Sequence, residues 1–260
     1  MTWENVGYEV ADRIATVTVR RPQVLNALNR ATMEEIAQAI ARAVGDEAVG
    51  AILVTGDGPK AFVAGADIAE LAKQTPVSGM ETSVRGQAIL DTIEQSPKPT
   101  LAAINGYALG GGCELALACH LRTMADTASI GLPEVGLGII PGYGGTQRLA
   151  RLIGRGRALE LILTGDHIKA DRAEAIGLVN RVFAADELIA GSRKILERIA
   201  SKGPVAVRLA IEAVNHGLDM PLEDAQYLEA TLFGLACATD DMREGLNAFL
   251  EKRKPAFRNR

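Results

Sequence analysis

Apolar and polar residues follow two alternating periods along most of this chain and a single one along its last part. Over Val6 to Val10 and Ile14 to Val19, β-branched residues alternate with polar ones on either side of Asp12-Arg13, which predicts a hairpin. Arg21-Pro22 ends it. From Thr32 to Val44 the apolar positions Met33, Ile36, Ala37, Ile40 and Val44 recur every three or four residues, the spacing of an amphipathic helix. Val49 to Val54 is continuously apolar, as suits a strand covered on both faces. The theme repeats: a helix around Glu81 to Gln95, breakers at Pro97 and Pro99, a strand from Thr100 to Ile104, a helix from about Gly111 to Cys119 and a strand from Leu121 to Ala125. Lys73 to Met80 keeps neither period and reads as irregular.

Helices alternating with short apolar strands predict an α/β fold of parallel strands joined by right-handed crossovers, with ligands gathering at the strands' carboxyl ends. Beyond about Asp186 strand patterns disappear. Helical patterns occupy Glu187 to Ser201, Val205 to Gly217, Leu222 to Cys237 and Asp240 to Lys252, with Pro221 and Asp240-Asp241 as starters. Residues 1–185 therefore read as a core and 186–260 as a helical section. Helices with apolar faces beyond one domain's needs predict contacts between subunits.

Composition removes several classes of function. Lys and Arg total 28 against 32 Asp and Glu, a net charge of -4, so no basic field draws in nucleic acid. With 48% hydrophobic residues and a mean hydropathy of +0.10 the chain is globular in character, and runs such as Leu115 to Cys119 are far too short to cross a membrane. Cys113, Cys119 and Cys237 cannot all pair within the chain and lack the spacing of a zinc site; they read as reduced thiols. His120, His167 and His216 form no ligand pair one helical turn apart, so no metal is expected. The opening Met1-Thr2-Trp3-Glu4-Asn5 has no basic cluster followed by an apolar core, which predicts a cytoplasmic protein.

Glu114 and Glu134 stand out because each is set among glycines and apolar residues, in Asn105-Gly106-Tyr107-Ala108-Leu109-Gly110-Gly111-Gly112-Cys113-Glu114 and in Gly131-Leu132-Pro133-Glu134-Val135-Gly136-Leu137-Gly138. Loss of water destabilises a carboxylate and raises its pKa toward values useful for proton transfer, and two such groups facing one cavity can divide acid and base roles. Each also has a plain structural reading, since acidic residues favour the first turn of a helix. Gly110-Gly111-Gly112 follows a strand and opens a helix, so its backbone N–H groups are unpaired and suit an oxyanion, although glycines equally permit close packing. A second donor, the N–H of Ala66, lies in Ala61-Phe62-Val63-Ala64-Gly65-Ala66-Asp67-Ile68, just before Asp67, a plausible helix cap. Two amides from separate loops would polarise an ester or thioester carbonyl. No Gly-x-x-x-x-Gly-Lys-Ser/Thr, Gly-x-Gly-x-x-Gly or Gly-x-Ser-x-Gly pattern occurs, which withdraws support from ATP, nicotinamide and serine-hydrolase chemistry; an aromatic content of 4% disfavours a glycosidase.

These stretches resemble the crotonase family, and within it the enoyl-CoA hydratases. The likeness runs through Arg21-Pro22 with Leu25-Asn26-Ala27-Leu28, Lys60-Ala61-Phe62, Ala64-Gly65-Ala66-Asp67-Ile68, both glutamate motifs, Pro141-Gly142 with Gly144-Gly145-Thr146-Gln147-Arg148-Leu149, Leu163-Thr164-Gly165-Asp166 and Glu251-Lys252-Arg253-Lys254-Pro255-Ala256-Phe257. It implies a spiral of stacked ββα units followed by a helical trimerisation section, a homotrimer or a dimer of trimers, an acyl-CoA substrate as in fatty-acid β-oxidation, and no cofactor. It implies Glu114 and Glu134 as catalytic residues and Ala66 and Gly111 as oxyanion-hole amides. For substrate binding it implies Leu25, Ala27, Ala64, Asp67, Ile68, Pro141, Gly142, Lys254 and Phe257. Gln23 and Ala69 replace lysines common in close relatives, and Tyr143 is bulkier than the alanine some relatives carry, which narrows the acyl pocket. The alternatives are another crotonase-type reaction such as isomerisation, or a non-catalytic acyl-CoA- or RNA-binding relative.

Overall fold

The structure is a computed structural model that describes residues 3–259. Met1 and Thr2, which open the segment read for a leader, lie outside them. In chain order the elements are β1 (Val6–Ala11), β2 (Ile14–Val19), α1 (Arg30–Gly45), β3 (Ala51–Gly56), β4 (Ala61–Ala64), α2 (Ile68–Leu71), α3 (Pro76–Glu94), β5 (Thr100–Ile104), β6 (Tyr107–Leu109) and α4 (Gly111–Ala118). There follow β7 (Leu121–Ala125), β8 (Ser129–Gly131), α5 (Gly145–Ile153), α6 (Arg155–Thr164), β9 (His167–Lys169), α7 (Ala170–Ala175), β10 (Arg181–Phe183), α8 (Leu188–Ala200), α9 (Pro204–Gly217), α10 (Leu222–Cys237) and α11 (Asp240–Leu250).

Two sheets hold the core. A six-stranded sheet has the order β1-β2-β3-β5-β7-β10, and a four-stranded sheet has the order β4-β6-β8-β9. The antiparallel β1–β2 pair is the predicted hairpin; from β2 onward the larger sheet is parallel. Successive strand pairs β3/β4, β5/β6 and β7/β8 each place one strand in either sheet before a helix returns the chain, and equivalent strands pair in parallel register. That repeat is the stacked ββα spiral. Every residue of β3 and β5 is buried, as their unbroken apolar runs require.

Side-chain amides hold the turns between the sheets. Buried Asn26 donates to the carbonyls of Asp57 at 2.9 Å and Ala61 at 2.8 Å, and Asn105 donates to those of Gly56 at 3.0 Å and Gly58 at 2.7 Å. Helix α4, buried along its whole length, lies so close to β4 that a Cβ on Gly112 would stand 1.9 Å from the Val63 carbonyl oxygen. Its first turn is thereby pinned beside the end of β4.

The structure extends and corrects the expected elements. Helix α3 begins at Pro76, inside the stretch expected to be irregular, because Thr75 and Ser78 form a capping box and proline fits the first helical position. Strands β4, β6, β8, β9 and β10, of three or four residues each, had no pattern long enough to be read. The N-cap of α11 is Thr239, whose hydroxyl accepts from Met242 N–H at 3.0 Å, one residue before the expected aspartates. Helix α8 lies on the larger sheet, whereas α9 and α10 pack on each other with α11 against α10.

Candidate active site

A cavity of about 330 Å3 opens where β4 and β6 end and just beyond the end of β8. Ala64, Gly65, Ala66, Leu109, Gly110, Gly111, Pro133 and Glu134 come from those strand ends, and Ile68, Leu71, Leu137, Ile139 and Ile140 make its apolar walls. A larger hollow of about 410 Å3 lies before the amino ends of β3 and β5, lined by Arg13, Lys98 and Lys202 among others. Volume does not choose between them. Among the described residues the buried side-chain atoms without a hydrogen-bond partner include Glu134 Oε2 and Gln74 Oε1, both on residues of the first cavity, and none in the second.

The amides come first. Leu28 N–H donates to Gly65 O at 2.9 Å and Asp67 N–H to Leu28 O at 2.8 Å, so the intervening Ala66 N–H points away from this bridge. Gly111 is the first residue of α4, where backbone N–H groups have no partner within the helix. Among the described residues neither N–H meets an acceptor. A Cβ built on Gly111 would lie 3.6 Å from Ala66 N, so the two backbones converge. Asp67 caps α2, accepting from Ala69 N–H at 3.1 Å, and pairs with Arg21 at 3.2 Å, which fixes the loop carrying Ala66.

The two carboxyls line the same cavity in contrasting environments. Glu114, 2% exposed, sits in the first turn of α4, and its Oε1 accepts from Tyr143 N–H at 2.7 Å and Gly145 N–H at 2.8 Å. Burial raises its pKa, while those two amides and the Arg148 charge draw it back down. Glu134 opens a 3-10 turn over Glu134–Leu137, and its Oε1 would lie 2.8 Å from a Cβ on Gly110. Burial pushes it up to about 7, opposed by its own backbone amide and reinforced by the negative charge of Glu114. Both carboxyls are thus pushed upward by burial, but for Glu114 two amides and a guanidinium oppose the push, whereas Glu134 is carried to about 7.

Among the residues expected to bind substrate, Ala64, Ile68 and Gly142 line this cavity. Leu25 lies in an adjoining hollow of about 210 Å3 with Pro22, Asn26 and Lys60, and its carbonyl accepts from Ala64 N–H at 3.0 Å. The Ala27 carbonyl accepts from Arg21 Nη1 at 2.5 Å, and Pro141 is buried behind Gly142. Lys254 is exposed and Phe257 lies against Gly203 and Gly245, so within one chain neither reaches the cavity. The Tyr143 ring lines the cavity and stands where any side chain on Gly86 of α3 would be. The two amides that hold Glu114, the role of Arg148 behind them and the wall residues Leu71, Thr82 and Ser83 escaped the sequence reading. The stretch from Pro141 to Leu149 carried their trace in the sequence, without their roles.

Among the described residues no three His, Cys, Asp or Glu side chains cluster as metal ligands, and no helix is long and apolar enough to cross a membrane. His120 is tied to the Thr100 N–H at 3.0 Å and the Glu94 carbonyl at 2.8 Å, away from the cavity.

A protein-family model described as enoyl-CoA hydratase/isomerase matches residues 9–260. The chain belongs to that family. The crotonyl-CoA hydratase of Syntrophomonas wolfei is 48% identical to it over 257 residues, 99% of each chain. The short-chain-enoyl-CoA hydratase of Clostridium acetobutylicum is 44% identical over 261 residues and covers both chains fully. Among solved structures, an enoyl-CoA hydratase from Bacillus anthracis matches with a TM-score of 0.95 at 41% identity, covering 99% of this chain and 100% of that one. Family membership agrees with the spiral described above, to which the helices at the carboxyl end are added.

Proposed function

We propose that this chain catalyses the reversible syn addition of water to a trans-2-enoyl-CoA, giving the 3-hydroxyacyl-CoA, with Glu114 and Glu134 as the acid–base pair. The observation that carries this reading is the pair itself: two carboxyls on one apolar cavity, one fixed by amides and one poised near neutrality. The thioester carbonyl accepts from the Ala66 and Gly111 amides, which stabilise the charge that develops on its oxygen. Glu114, as carboxylate, orients a water and removes its proton as the oxygen bonds to the β carbon. The C=C electrons move into an enolate, and protonated Glu134 gives its proton to the α carbon. The proton gained by Glu114 then returns to Glu134 through the water of the cavity, which restores both groups. Each step uses side chains and backbone alone, so the reaction requires no cofactor.

An isomerase moves one proton between two carbons and has no use for a second carboxylate dedicated to water. The amide-held Glu114 favours hydration for that reason. The same reading makes the protein a cytoplasmic homotrimer or dimer of trimers, in which Lys254 and Phe257 approach the CoA end of the site from a neighbouring subunit. The test is loss of the conjugated-thioester absorbance with crotonyl-CoA. Glu114→Gln and Glu134→Gln should each lower kcat by about 10²- to 10⁴-fold with acyl-CoA binding retained. Near-parental turnover in either variant would reject the assignment, and migration of the double bond of a 3-enoyl-CoA without hydration would favour the isomerase.

A further inference from the structure

Behind Glu114 stands a side chain that touches neither the cavity nor any reacting atom. We infer that Arg148 is a positioning residue for the hydration: it clamps the Tyr143–Gly145 turn to α3 so that two amides of that turn hold Glu114. Its Nη1 donates to the Tyr143 carbonyl at 2.9 Å, its own N–H donates to the Gly144 carbonyl at 2.9 Å, and its side chain is 11% exposed. The rest of the guanidinium is anchored in α3, with Nε on Glu94 Oε2 at 2.8 Å and Nη2 on Asp91 Oδ1 at 2.5 Å. Gly144, at φ +98, completes the clamp, since a Cβ there would lie 2.5 Å from Arg148 Nη1. The carbonyls of Tyr143 and Gly144 thus face Arg148, while the N–H groups of Tyr143 and Gly145 face Glu114 Oε1. A lysine cannot reproduce a fork with three separate acceptors.

The inference rests on Glu114 being the base of the proposed hydration. Arg148 also contributes charge: among the described residues that act on Glu114, Arg148 is the cation, while Glu134 from its 3-10 turn, Tyr143 and Cys113 oppose ionisation or respond to it. From α3, Asp91 and Glu94 face the guanidinium. The adjoining strands β4 and β5 carry no ionisable side chain, and Tyr107 of β6 is turned to His167. Because the charge favours the Glu114 anion, removing it moves the low-pH loss of rate to higher pH.

The test compares Arg148→Gln and Arg148→Lys with the parent on crotonyl-CoA across pH. Arg148→Gln should lower kcat about ten- to a hundredfold, as a slightly misplaced base does, with KM changed by less than about threefold and the acid limb shifted upward. Arg148→Lys should bring the acid limb back while leaving kcat low. Should Arg148→Gln not fold, Asp91→Asn with Glu94→Gln frees the clamp from α3 and should lower kcat in the same direction. Parental kcat in the folded variants, or a loss shared by kcat and KM with an unmoved acid limb, would overturn the positioning role. A parent that fails to hydrate crotonyl-CoA at all would instead overturn the reaction.

Discussion

At the scale of single residues, the proposed chemistry turns on a carboxyl kept expensive to ionise. Glu134 ordinarily ionises near 4.5 and here near 7, chiefly because burial removes water from it. In the proposed mechanism hydration uses its proton, so kcat should fall as pH rises through about 7, measured with crotonyl-CoA under saturation. A flat rate across that window would separate Glu134 from the proton delivery. The same shift acts on stability with a definite sign: between the two values the unfolded chain carries the anion and the folded one the acid, so raising pH through this window weakens the fold. Glu134→Gln removes the effect. Its melting temperature should gain on the parent's between about pH 5 and about pH 8, even as turnover is lost. A gain independent of pH would mean that the side chain's proton is not what the fold resists losing.

At the scale of elements, α4 positions both Gly111 and Glu114, and its seat on β4 is set by a missing side chain. Alanine at Gly112 would raise helix propensity by about 1 kcal/mol, yet its Cβ would overlap the Val63 carbonyl at 1.9 Å, and backbone cannot swing aside as a side chain can. Overlap wins. Gly112→Ala should cost about 1–3 kcal/mol in a denaturant melt and should also lower hydration, because Val63 leads directly to Ala64 and the Ala66 amide. Unchanged stability would show that the helix can slide outward at no cost. The same elements explain what the sequence disclosed. Helices α1 and α10 and strands β3 and β5 were legible because each repeats a period or holds an apolar run long enough to be distinctive. The four-stranded sheet was not, since strands such as β6 and β8 have three residues each, too few to show a period. For the site, the glycines and glutamates announced a local chemistry. The Glu114 clamp did not, because Asp91, Glu94 and Arg148 meet only through folding.

At the scale of the whole molecule, the spiral is closed over its core while the helices α9 to α11 leave an apolar surface uncovered. Helices α9 and α10 each bury a single residue, Leu209 and Leu232, although both carry long apolar side chains. Leu218, Tyr227, Phe249 and Leu250 are each more than three quarters exposed, an excess of apolar surface that a second copy would cover. That surface supports the proposed trimer, and in that trimer assembly would bear on catalysis, because α11 runs straight into the segment bearing Lys254 and Phe257. Light scattering should therefore find three or six copies of the chain. Placing Phe249→Asp and Leu250→Asp together puts two charges into the contact and should release single subunits. Each freed subunit keeps Glu114, Glu134 and both amides, so the loss should fall first on KM for crotonyl-CoA as the neighbour's contribution to the CoA end disappears. A monomeric parent with full activity would detach assembly from function, whereas a monomeric variant with parental KM would confine the neighbour to a structural part.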